Sequence, residues 1–383
     1  MKFALKNWIL FLATILLLSA CVQSQENFAE RVSEIPLDEE QLPAATSTGE
    51  EITLETVPFP ALTKIEMIDA ENGWGQAEGM ILRTEDGGES WLDVTPEKAY
   101  NDPAYAESVF LDEKTGWVLI EDIDSPTVGT IFRTTDGGLN WRWRNTPFGR
   151  SDIGFLDSDN GYGLTDLGAA AGSMGVSIWQ TINGGGDYNR VFLHEPGFDD
   201  SLPFNGIKNG ISFFDPENGW VGGSTPQDGF IWLYRTRDGG FSWELQDLPM
   251  PASYELAQAS VDAPFFFDSG QGLLPVHLRA EESATVFYRT IDGGETWFAA
   301  SPVAVRGKYT IISAKEIILW DGASSVYSTL DGGENWVSST PNWNPSDTLR
   351  ELDFVSAMRG WALSEKGLYR TDDGGASWEK LGE

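Results

Sequence analysis

The sequence predicts an all-β chain, folded as a seven-bladed β-propeller of four-stranded antiparallel blades. The first observation is a nine-residue phrase that occurs seven times in 383 residues, at intervals of about forty to fifty-five residues. The second is that short runs of alternating apolar residues, separated by turn residues, fill each repeat. No convincing helical stretch follows the first 20 residues. Four strands in each of seven repeated units predict a propeller rather than a sandwich.

Each copy of the phrase has the chemistry of a tight turn between two antiparallel strands. A threonine comes first, an acid follows two places on, two glycines come next, and an aromatic residue ends the phrase. Asp and Thr oxygens accept backbone hydrogen bonds in such turns, and glycine adopts positive φ without steric cost. We predict a structural role for the acid and aromatic positions of this turn phrase, which are Asp86, Asp136, Asn183, Asp238, Asp292, Asp331, Asp373 and Trp91, Trp141, Tyr188, Trp243, Trp297, Trp336, Trp378.

The first 20 residues have the pattern of a bacterial lipoprotein signal peptide. Lys2 and Lys6 precede an uncharged run at 8–18, which is too short to span a bilayer. The run ends in Leu-Ser-Ala-Cys, which resembles a lipobox, so we predict cleavage after Ala20 and lipidation of Cys21. An ordinary signal peptide followed by a free cysteine is the alternative.

Residues 21–50 are predicted to form an acidic flexible tether, and residues 51–383 the propeller. Prolines stand at positions 36 and 43 of the tether, and its one aromatic residue is Phe28. A flexible chain of about 30 residues has a root-mean-square reach of roughly 30 Å. The expected location is therefore extracytoplasmic, at the cell surface or the periplasmic face, with the lipid on Cys21 as the membrane anchor.

Composition argues against several classes of function. With 25 basic and 59 acidic residues the formal net charge is −34, which disfavours binding to nucleic acid and to anionic lipid surfaces. A single cysteine cannot form an intramolecular disulfide, and with two histidines we expect no metal site of the His/Cys type. The run 157–161 is similar to a calcium loop but lacks the later ligands, so we interpret it as a turn. No cofactor is expected.

The turn phrase, Thr-x-Asp-Gly-Gly-x-Ser/Thr/Asn-Trp, resembles the Asp-box, or bacterial neuraminidase repeat. Because Asn-Gly-Trp and Arg-Thr precede the box, the whole region 51–383 resembles the photosystem II assembly and stability factor family. This resemblance implies a seven-bladed, non-enzymatic scaffold that docks on membrane-protein assembly intermediates through an arginine-rich patch. The nearest arginines in this sequence are Arg142, Arg144 and Arg150, around Trp143.

Sialidases and some glucanases also carry the Asp-box, so an enzyme is the alternative. The recurring arginines occupy one equivalent position in five units, which favours a structural ion pair or a solvent-facing position over a substrate clamp; they are Arg83, Arg133, Arg235, Arg289 and Arg370. A glycosidase needs only two carboxylates, and a pair in the central channel would suffice. The sequence thus favours a non-enzymatic scaffold for a protein partner, such as a membrane protein or assembly intermediate. A carbohydrate-binding or glycoside-hydrolysing propeller remains open.

Loop lengths predict which face binds. Strands in a blade alternate in direction, so the first and third turns of every unit lie on one face, which we call the turn face. The second turns and the connections between units lie on the other, the loop face, and hold most of the length variation, at 121–130, 164–176, 194–209, 222–230, 246–258 and 275–284. Insertions gathered on one face of a repeat protein usually mark its binding surface. We predict partner contacts on the loop face, centred on units two to five, with Phe198, Asp228, Phe230 and Trp232 among them.

Closure of the ring is expected at the last unit. Residues 378–381 are predicted to form its outer strand, and residues 52–57 to pair with that strand.

The Cys21→Ser variant should lose all incorporation of a labelled fatty acid, and the folded body should leave the membrane fraction, because one thiol carries the anchor. Metabolic labelling and fractionation measure both effects, with Ser24→Ala as the control. A wild-type chain that takes up no label, together with a variant that stays fully membrane-bound, would show the lipoprotein prediction to be wrong.

Overall fold

The computed structural model describes residues 54–97, 106–122, 124–195, 200–267, 270–343 and 349–382. These residues belong to one compact unit, Ile52–Glu383. In this part of the chain all regular elements are β-strands, and no helix is long and apolar enough to cross a membrane. We number the units one to seven by the copy of the turn phrase that each contains.

The strands of the first three units form three separate antiparallel sheets. They are β1 (Thr56–Val57), β2 (Leu62–Met67), β3 (Gly73–Ala77), β4 (Met80–Thr84) and β5 (Trp91–Asp93) in unit one, β6 (Ala106–Phe110), β7 (Gly116–Glu121), β8 (Gly129–Thr134) and β9 (Arg142–Thr146) in unit two, and β10 (Ser151–Phe155), β11 (Gly161–Ala170), β12 (Ser173–Thr181) and β13 (Asn189–Leu193) in unit three. Units two and three are simple four-stranded meanders.

Units four and five share one sheet of nine strands. Its members are β14 (Ile207–Phe213), β15 (Gly219–Asp228), β16 (Leu233–Thr236) and β17 (Glu244–Leu245), then β18 (Gln258–Val261), β19 (Phe265–Phe266), β20 (Gly272–Arg279), β21 (Ala284–Thr290) and β22 (Phe298–Ala299). The two units join where the far end of β15 pairs with β18, Ser224 opposite Ser260 and Asp228 opposite Gln258.

The last two units are again separate four-stranded meanders. Their strands are β23 (Lys308–Ile311), β24 (Ile317–Trp320), β25 (Val326–Thr329), β26 (Val337–Ser339), β27 (Leu349–Phe354), β28 (Gly360–Ser364), β29 (Gly367–Thr371) and β30 (Glu379–Lys380). First strands of neighbouring units contact each other, and β2 of the first unit contacts β27 of the last. The sheets therefore surround a common axis as a β-propeller, with the first strand of each unit innermost.

The turn phrase satisfies its own polar groups. In unit five the Thr290 hydroxyl donates to Asp292 (2.7 Å), and the amide of Gly294 donates to Thr290 (2.9 Å). The amide and hydroxyl of Thr296 donate to the two oxygens of Asp292 (2.9 and 2.6 Å). Burial alone would raise the pKa of Asp292, but these hydrogen bonds outweigh it and the pKa is lowered. The same set recurs in the other copies, so the turn is stable as a local unit.

Unit three keeps the same geometry with donor and acceptor exchanged. Asn183 replaces the acid, Asp187 replaces the small polar residue, and Asn183 Nδ2 donates to Asp187 Oδ2 (3.0 Å). The hydrogen bond between these two positions is thus retained although both residues differ.

A hydrogen bond between backbone groups joins the turn phrase to the first turn of the same unit. It places the first and third turns of each unit on one face, as the strand directions predict. In unit one the amide of Gly87 donates to the Glu71 carbonyl (2.7 Å), and in unit five Gly293 donates to Gly270 (2.8 Å). Equivalent bonds occur in all seven units. The turn face is therefore tightly bonded throughout.

Four of the recurring arginines link their own unit to the turn phrase of the next. Arg83 donates to the Gly137 carbonyl (2.8 Å), and Arg235 forms an ion pair with Glu295 (2.6 Å). Arg289 pairs in the same way with Glu334, and Arg370 of the last unit pairs with Glu89 of the first (2.7 Å). The structural ion pair, one of the two roles predicted from their recurrence, is present for Arg235, Arg289 and Arg370.

Tryptophans of the second strands make a parallel set of links. Trp74 stacks on Phe110 of the next unit with ring centroids 4.2 Å apart, and Trp117 stacks on Phe155 at 3.7 Å. Their indole nitrogens also reach the next unit: Trp117 Nε1 donates to the Gly184 carbonyl (2.9 Å). Both rings are fully buried, as expected for residues between packed sheets.

Among the described residues, the ring closes through side chains and not through a shared strand. Trp361 Nε1 of the last unit donates to the Gly87 carbonyl of the first (2.8 Å). The expectation that residues 52–57 pair with the last unit was wrong for the described part of that segment, because β1 pairs with β5 of its own unit. The outer edge of β5 offers unpaired backbone groups next to the chain that enters the unit, so the local pairing is favoured. The predicted outer strand of the last unit is present as β30.

Several segments predicted as loops are long hairpins. Strands β11 and β12 continue to a turn at Ala171 and Gly172, and β20 and β21 extend in the same way. The segment 222–228 is the second half of β15, and its pairing with β18 explains why a polar stretch forms a strand. On units three to five the loop face is therefore built on β-structure.

Replacing Trp297 with Ala should destabilise the fold by roughly 3–5 kcal/mol, since the ring is 6% exposed and packs against Trp220 and Phe266. The control Ile291→Ala, at a side chain 77% exposed in the same turn, should change stability by about 0.5 kcal/mol or less. Tyr188, half-buried in the third unit, should tolerate truncation better than Trp297. Urea unfolding of the three variants ranks them, and equal losses for Tyr188 and Trp297 would contradict the ranking.

Candidate functional site

The innermost strands carry charged residues of both signs at equivalent positions. Passing from unit six through seven and one to units two and three, these residues are Lys308, Glu351, Lys64, Glu107 and Asp152. Lys64 Nζ donates to Glu107 Oε1 at 3.2 Å, and the charges of Lys64 and Lys308 both act on Glu351. Together with Glu66 and Asp353, which lie two residues further along β2 and β27, these residues form the charged wall across five units.

Two carboxyl groups of this wall have strongly raised pKa values. Burial raises the pKa of Glu66 to about 7, with the charge of Lys64 opposing and that of Asp353 adding to the rise. Burial likewise raises the pKa of Asp353 to about 6, and Glu351 adds to it. A raised carboxyl pKa is the property that a general acid needs near neutral pH.

The same carboxylates also fasten the first strands together. Asp353 Oδ2 accepts the amide hydrogen of Met67 (2.6 Å), and Glu351 Oε2 accepts that of Ile65 (2.6 Å). Glu66 accepts a backbone hydrogen bond from Phe110 of unit two. Each acid therefore already has a structural partner on the neighbouring unit.

A cavity of about 820 Å³ opens on the loop face where units five, six and seven meet. Its lining includes Asp262, Phe265 and His277 from unit five, and Arg306, Lys308 and Tyr309 from unit six. The second turn of unit six and the start of β27 complete it. The volume lies in the range of ordinary ligand pockets.

A break in the innermost strand of unit five creates this cavity. Strand β18 ends at Val261 and β19 begins at Phe265, with Pro264 between them. Proline has no amide hydrogen to give to a sheet, so the ladder is interrupted there. Asp262 stands at the break and extends its carboxylate to the neighbouring strands.

Asp262 is held by residues of two units. Its Oδ2 accepts hydrogen bonds from the Tyr309 hydroxyl (2.7 Å) and from His277 Nε2 (2.9 Å), which must carry a hydrogen to face a carboxylate. Burial would raise the pKa of Asp262, but the bonds from His277 and Tyr309 outweigh it and lower that pKa. Burial and the adjacent carboxylate raise the pKa of Tyr309 well above its usual range. The ionised Asp262 and the protonated Tyr309 therefore form a stable hydrogen-bonded pair. Their pKa values do not favour proton transfer between them.

The four predicted contact residues differ in their exposure to solvent. Asp228 is exposed at the end of β15, and Phe230 is half-buried against the core. The prediction that Trp232 contacts a partner was wrong. It is 1% exposed, packs against Tyr234 and lies under the ammonium of Lys208, so it is a core residue. Trp232 lies beyond the predicted loop 222–230, directly before β16. Phe198 lies outside the described residues.

The arginines around Trp143 occupy two neighbouring units. Arg142 and Arg144 lie exposed on β9, the outer strand of unit two. Arg150 precedes β10 of unit three, where its charge acts on Asp152. These three arginines therefore extend from the outer strand of one unit to the start of the innermost strand of the next.

Lys208 is an organising residue that the sequence did not indicate. It is buried, and its ammonium donates to the carbonyl oxygens of Met174, Pro203, Phe204, Asn205 and Gly206 at 2.6–3.3 Å. Burial lowers its pKa to about 8. The ammonium ties the segment 203–206 to unit three, which fixes this part of the loop face.

Next to that segment lies an exposed apolar patch. Leu167 and Phe204 are 51% and 56% exposed, and both side chains approach Gly175, where they would contact an added Cβ. Leu256, on the loop face between units four and five, is 84% exposed. We call Leu167 and Phe204 the apolar patch.

The described residues include no group of three or more His, Cys, Asp or Glu side chains placed to hold a metal ion. In the run 157–161, Asp157 Oδ1 accepts the amide hydrogens of Asp159 and Asn160 (2.7 and 2.8 Å), which is the geometry of a turn.

Comparison with known proteins gives structural likeness without sequence relatives. No protein-family model matches the chain, and no curated protein matches its sequence. Among solved structures, YCF48 bound to D1 peptide is 18% identical with a TM-score of 0.52, over 84% of this chain and 96% of that one. YCF48 from Cyanidioschyzon merolae is 17% identical with a TM-score of 0.51, over 82% and 96%.

A glycoside hydrolase is similar to the same degree. The GH74 xyloglucanase from Xanthomonas campestris is 12% identical with a TM-score of 0.55, and the match covers 86% of this chain and 56% of that one. At such low identities a shared fold carries no shared activity. What the three likenesses support is the fold: the chain is a β-propeller.

Proposed function

We propose that this chain is an extracytoplasmic, lipid-anchored, seven-bladed Asp-box propeller that acts as a non-enzymatic scaffold for a protein partner. In this proposal the nine-stranded sheet counts as two blades. The role resembles that of photosystem II assembly and stability factors, and the partner would be a membrane protein or an assembly intermediate. The observation that carries the proposal is the apolar patch on the loop face.

The patch is suited to binding because its two side chains are adjacent. Leu167 and Phe204 pack around one glycine, so together they present a continuous apolar surface. Contiguous exposed apolar surface on a soluble fold marks an interaction site more often than scattered single residues do. The carbonyl of Phe204 accepts a hydrogen bond from Lys208 Nζ (3.1 Å), which fixes the backbone at one of the two residues.

The turn face offers a less favourable surface. Its exposed apolar residues include Ile182, Ile291 and Leu330, one in each of three units. Each of them occupies the same position of a separate turn phrase, between the threonine and the acid. Residues spaced one per unit are ordinary exposed side chains and need no partner.

The similarity to YCF48 supports a protein partner, since that propeller was solved with a D1 peptide bound. The predicted lipid on Cys21 would keep the scaffold at a membrane, where a tether of about 30 residues allows it to reach membrane proteins. A scaffold role also agrees with the charged wall, whose acids are engaged in bonds between units.

A variant carrying Leu167→Ser and Phe204→Ser should lose its partner while keeping its fold, because both side chains are exposed. Crosslinking in membranes, followed by purification and mass spectrometry, should find at least one protein enriched with the wild type and lost with this variant. The turn-face control, Ile291→Ser with Leu330→Ser, should retain it. Loss in the control alone would place the contact on the turn face.

A carbohydrate-active propeller is the second candidate, favoured by the raised pKa values of Glu66 and Asp353. The xyloglucanase shares the fold, and a glycosidase could use two such carboxyl groups. Under this alternative the purified chain would release reducing sugar from a polysaccharide, and Glu66→Gln would abolish the release.

Under the scaffold proposal Glu66 affects stability instead. A carboxyl group whose pKa rises from 4.5 to about 7 on folding binds more protons in the folded state, so its charging opposes folding as pH rises. Stability of the wild type should therefore decline between about pH 4.5 and 7, and Glu66→Gln should decline less.

Urea midpoints measured across this window test the effect, with the exposed Glu78→Gln as the control. Identical pH profiles for the wild type and Glu66→Gln would contradict the structural assignment of Glu66.

A further inference from the structure

The cavity at units five to seven contains two cations that have no ion-pair partner among the described residues. Arg306 and Lys308 are both exposed, and among the described residues neither makes an ion pair. Their charges act at longer range, that of Arg306 on Asp262 and that of Lys308 on Glu351. In a chain with a net charge of −34, two such cations at one cavity form a local site for a negative group.

The two acids of the cavity, Asp262 and Asp321, accept their hydrogen bonds from donors other than these cations. Asp321 Oδ1 accepts the amide hydrogens of Ala323, Ser324 and Ser325 at 2.8–3.0 Å and closes its own turn. Asp262 Oδ2 accepts from Tyr309 and His277. Both carboxylates are thus held by uncharged or ring donors, and the two cations remain open to a ligand.

Two further features describe what else the ligand carries. The ring of Phe265 is 45% exposed in the cavity and stands edge-on to Tyr309, with ring centroids 6.4 Å apart. Asp262 Oδ1 receives no hydrogen bond from the described residues, so it can accept one from a ligand N–H. A fitting ligand therefore combines a negative group, an apolar group and a hydrogen-bond donor.

We propose that this cavity binds an acidic peptide segment, with its carboxylate between Arg306 and Lys308, its apolar side chain on Phe265 and a backbone N–H on Asp262 Oδ1. A peptide supplies all three groups within two neighbouring residues. The hydrogen bonds of Asp262 to Tyr309 and His277 already fix this side of the cavity. Little conformational entropy is therefore lost when a ligand binds. The inference rests on the proposed function in taking the segment to be part of the protein partner, and it adds a site separate from the apolar patch.

The test compares two blocked pentapeptides, Ser-Phe-Glu-Ser-Gly and Ser-Phe-Gln-Ser-Gly, each with an uncharged fluorophore, binding to the full chain in detergent. Fluorescence anisotropy should give about fivefold tighter binding of the Glu peptide in 0.01 M salt, as exposed ion pairs allow. The preference should largely vanish in 1 M salt, because the Debye length falls from about 30 Å to about 3 Å.

Three variants locate the effect. Arg306→Gln with Lys308→Gln should bind both peptides equally. Lys114→Gln with Lys315→Gln, which removes the same charge from exposed positions elsewhere, should keep the preference. Phe265→Ala should weaken both peptides by a similar factor.

Equal binding of the two peptides by the wild type, or a preference that survives in the Arg306 and Lys308 variant, would overturn the proposal. An oligoglucuronate that binds through these two cations while both peptides fail would overturn the peptide as the occupant. Loss of partner capture in the Leu167 and Phe204 variant leaves this result unaffected, so the site and the proposed function can fail independently.

Discussion

The structure depends on a turn that satisfies its own donors and acceptors and still presents carbonyl groups to its neighbour. Because Thr290 and Asp292 take up the amides of the turn, the first glycine carbonyl of such a turn can accept from a neighbouring unit. In three joints the preceding unit uses it: Arg83 donates to Gly137, Trp117 to Gly184, and Trp361 to Gly87 across the closure. In these units one local motif therefore forms the turn and also part of the joint to its neighbour.

Because of this constraint, the turn face tolerates insertions less well than the loop face. A residue inserted into the turn phrase would displace the glycine carbonyl from its tryptophan, whereas an insertion on the loop face breaks no bond between units. The long hairpins of units three to five and the segment held by Lys208 are therefore tolerated there, and they form the platform that carries Leu167 and Phe204. The proposed binding surface lies where the scaffold permits variation.

Local features were predictable from the sequence, and long-range pairings were not. The strands, the turn phrase and the linking arginines follow from repetition, since a position repeated by unit must make a contact that is repeated by unit. Trp232 was misassigned because its burial depends on Lys208 and on the segment 203–206, which are distant from any repeat. The pairing of β15 with β18 was missed because a run of Ser, Thr, Pro, Gln and Asp has no strand pattern of its own. Asp262, Arg306 and Tyr309 converge beside the interruption of an inner strand at Pro264, and they come from two units.

Some of the acidic residues of the chain have a specific structural role. Carboxylates of the charged wall, such as Glu351 and Asp353, serve as acceptors for backbone amides of the neighbouring unit, a role that basic residues cannot fill. An acidic interior wall is thus a way of fastening first strands, and its raised pKa values follow from that burial without any need for catalysis. Where the inner strand breaks at unit five, Asp262 instead accepts from side chains, and two cations stand unpaired beside it. At this break the carboxylate-to-amide bonds between first strands are absent from the described residues, and a cavity able to bind a ligand lies there instead.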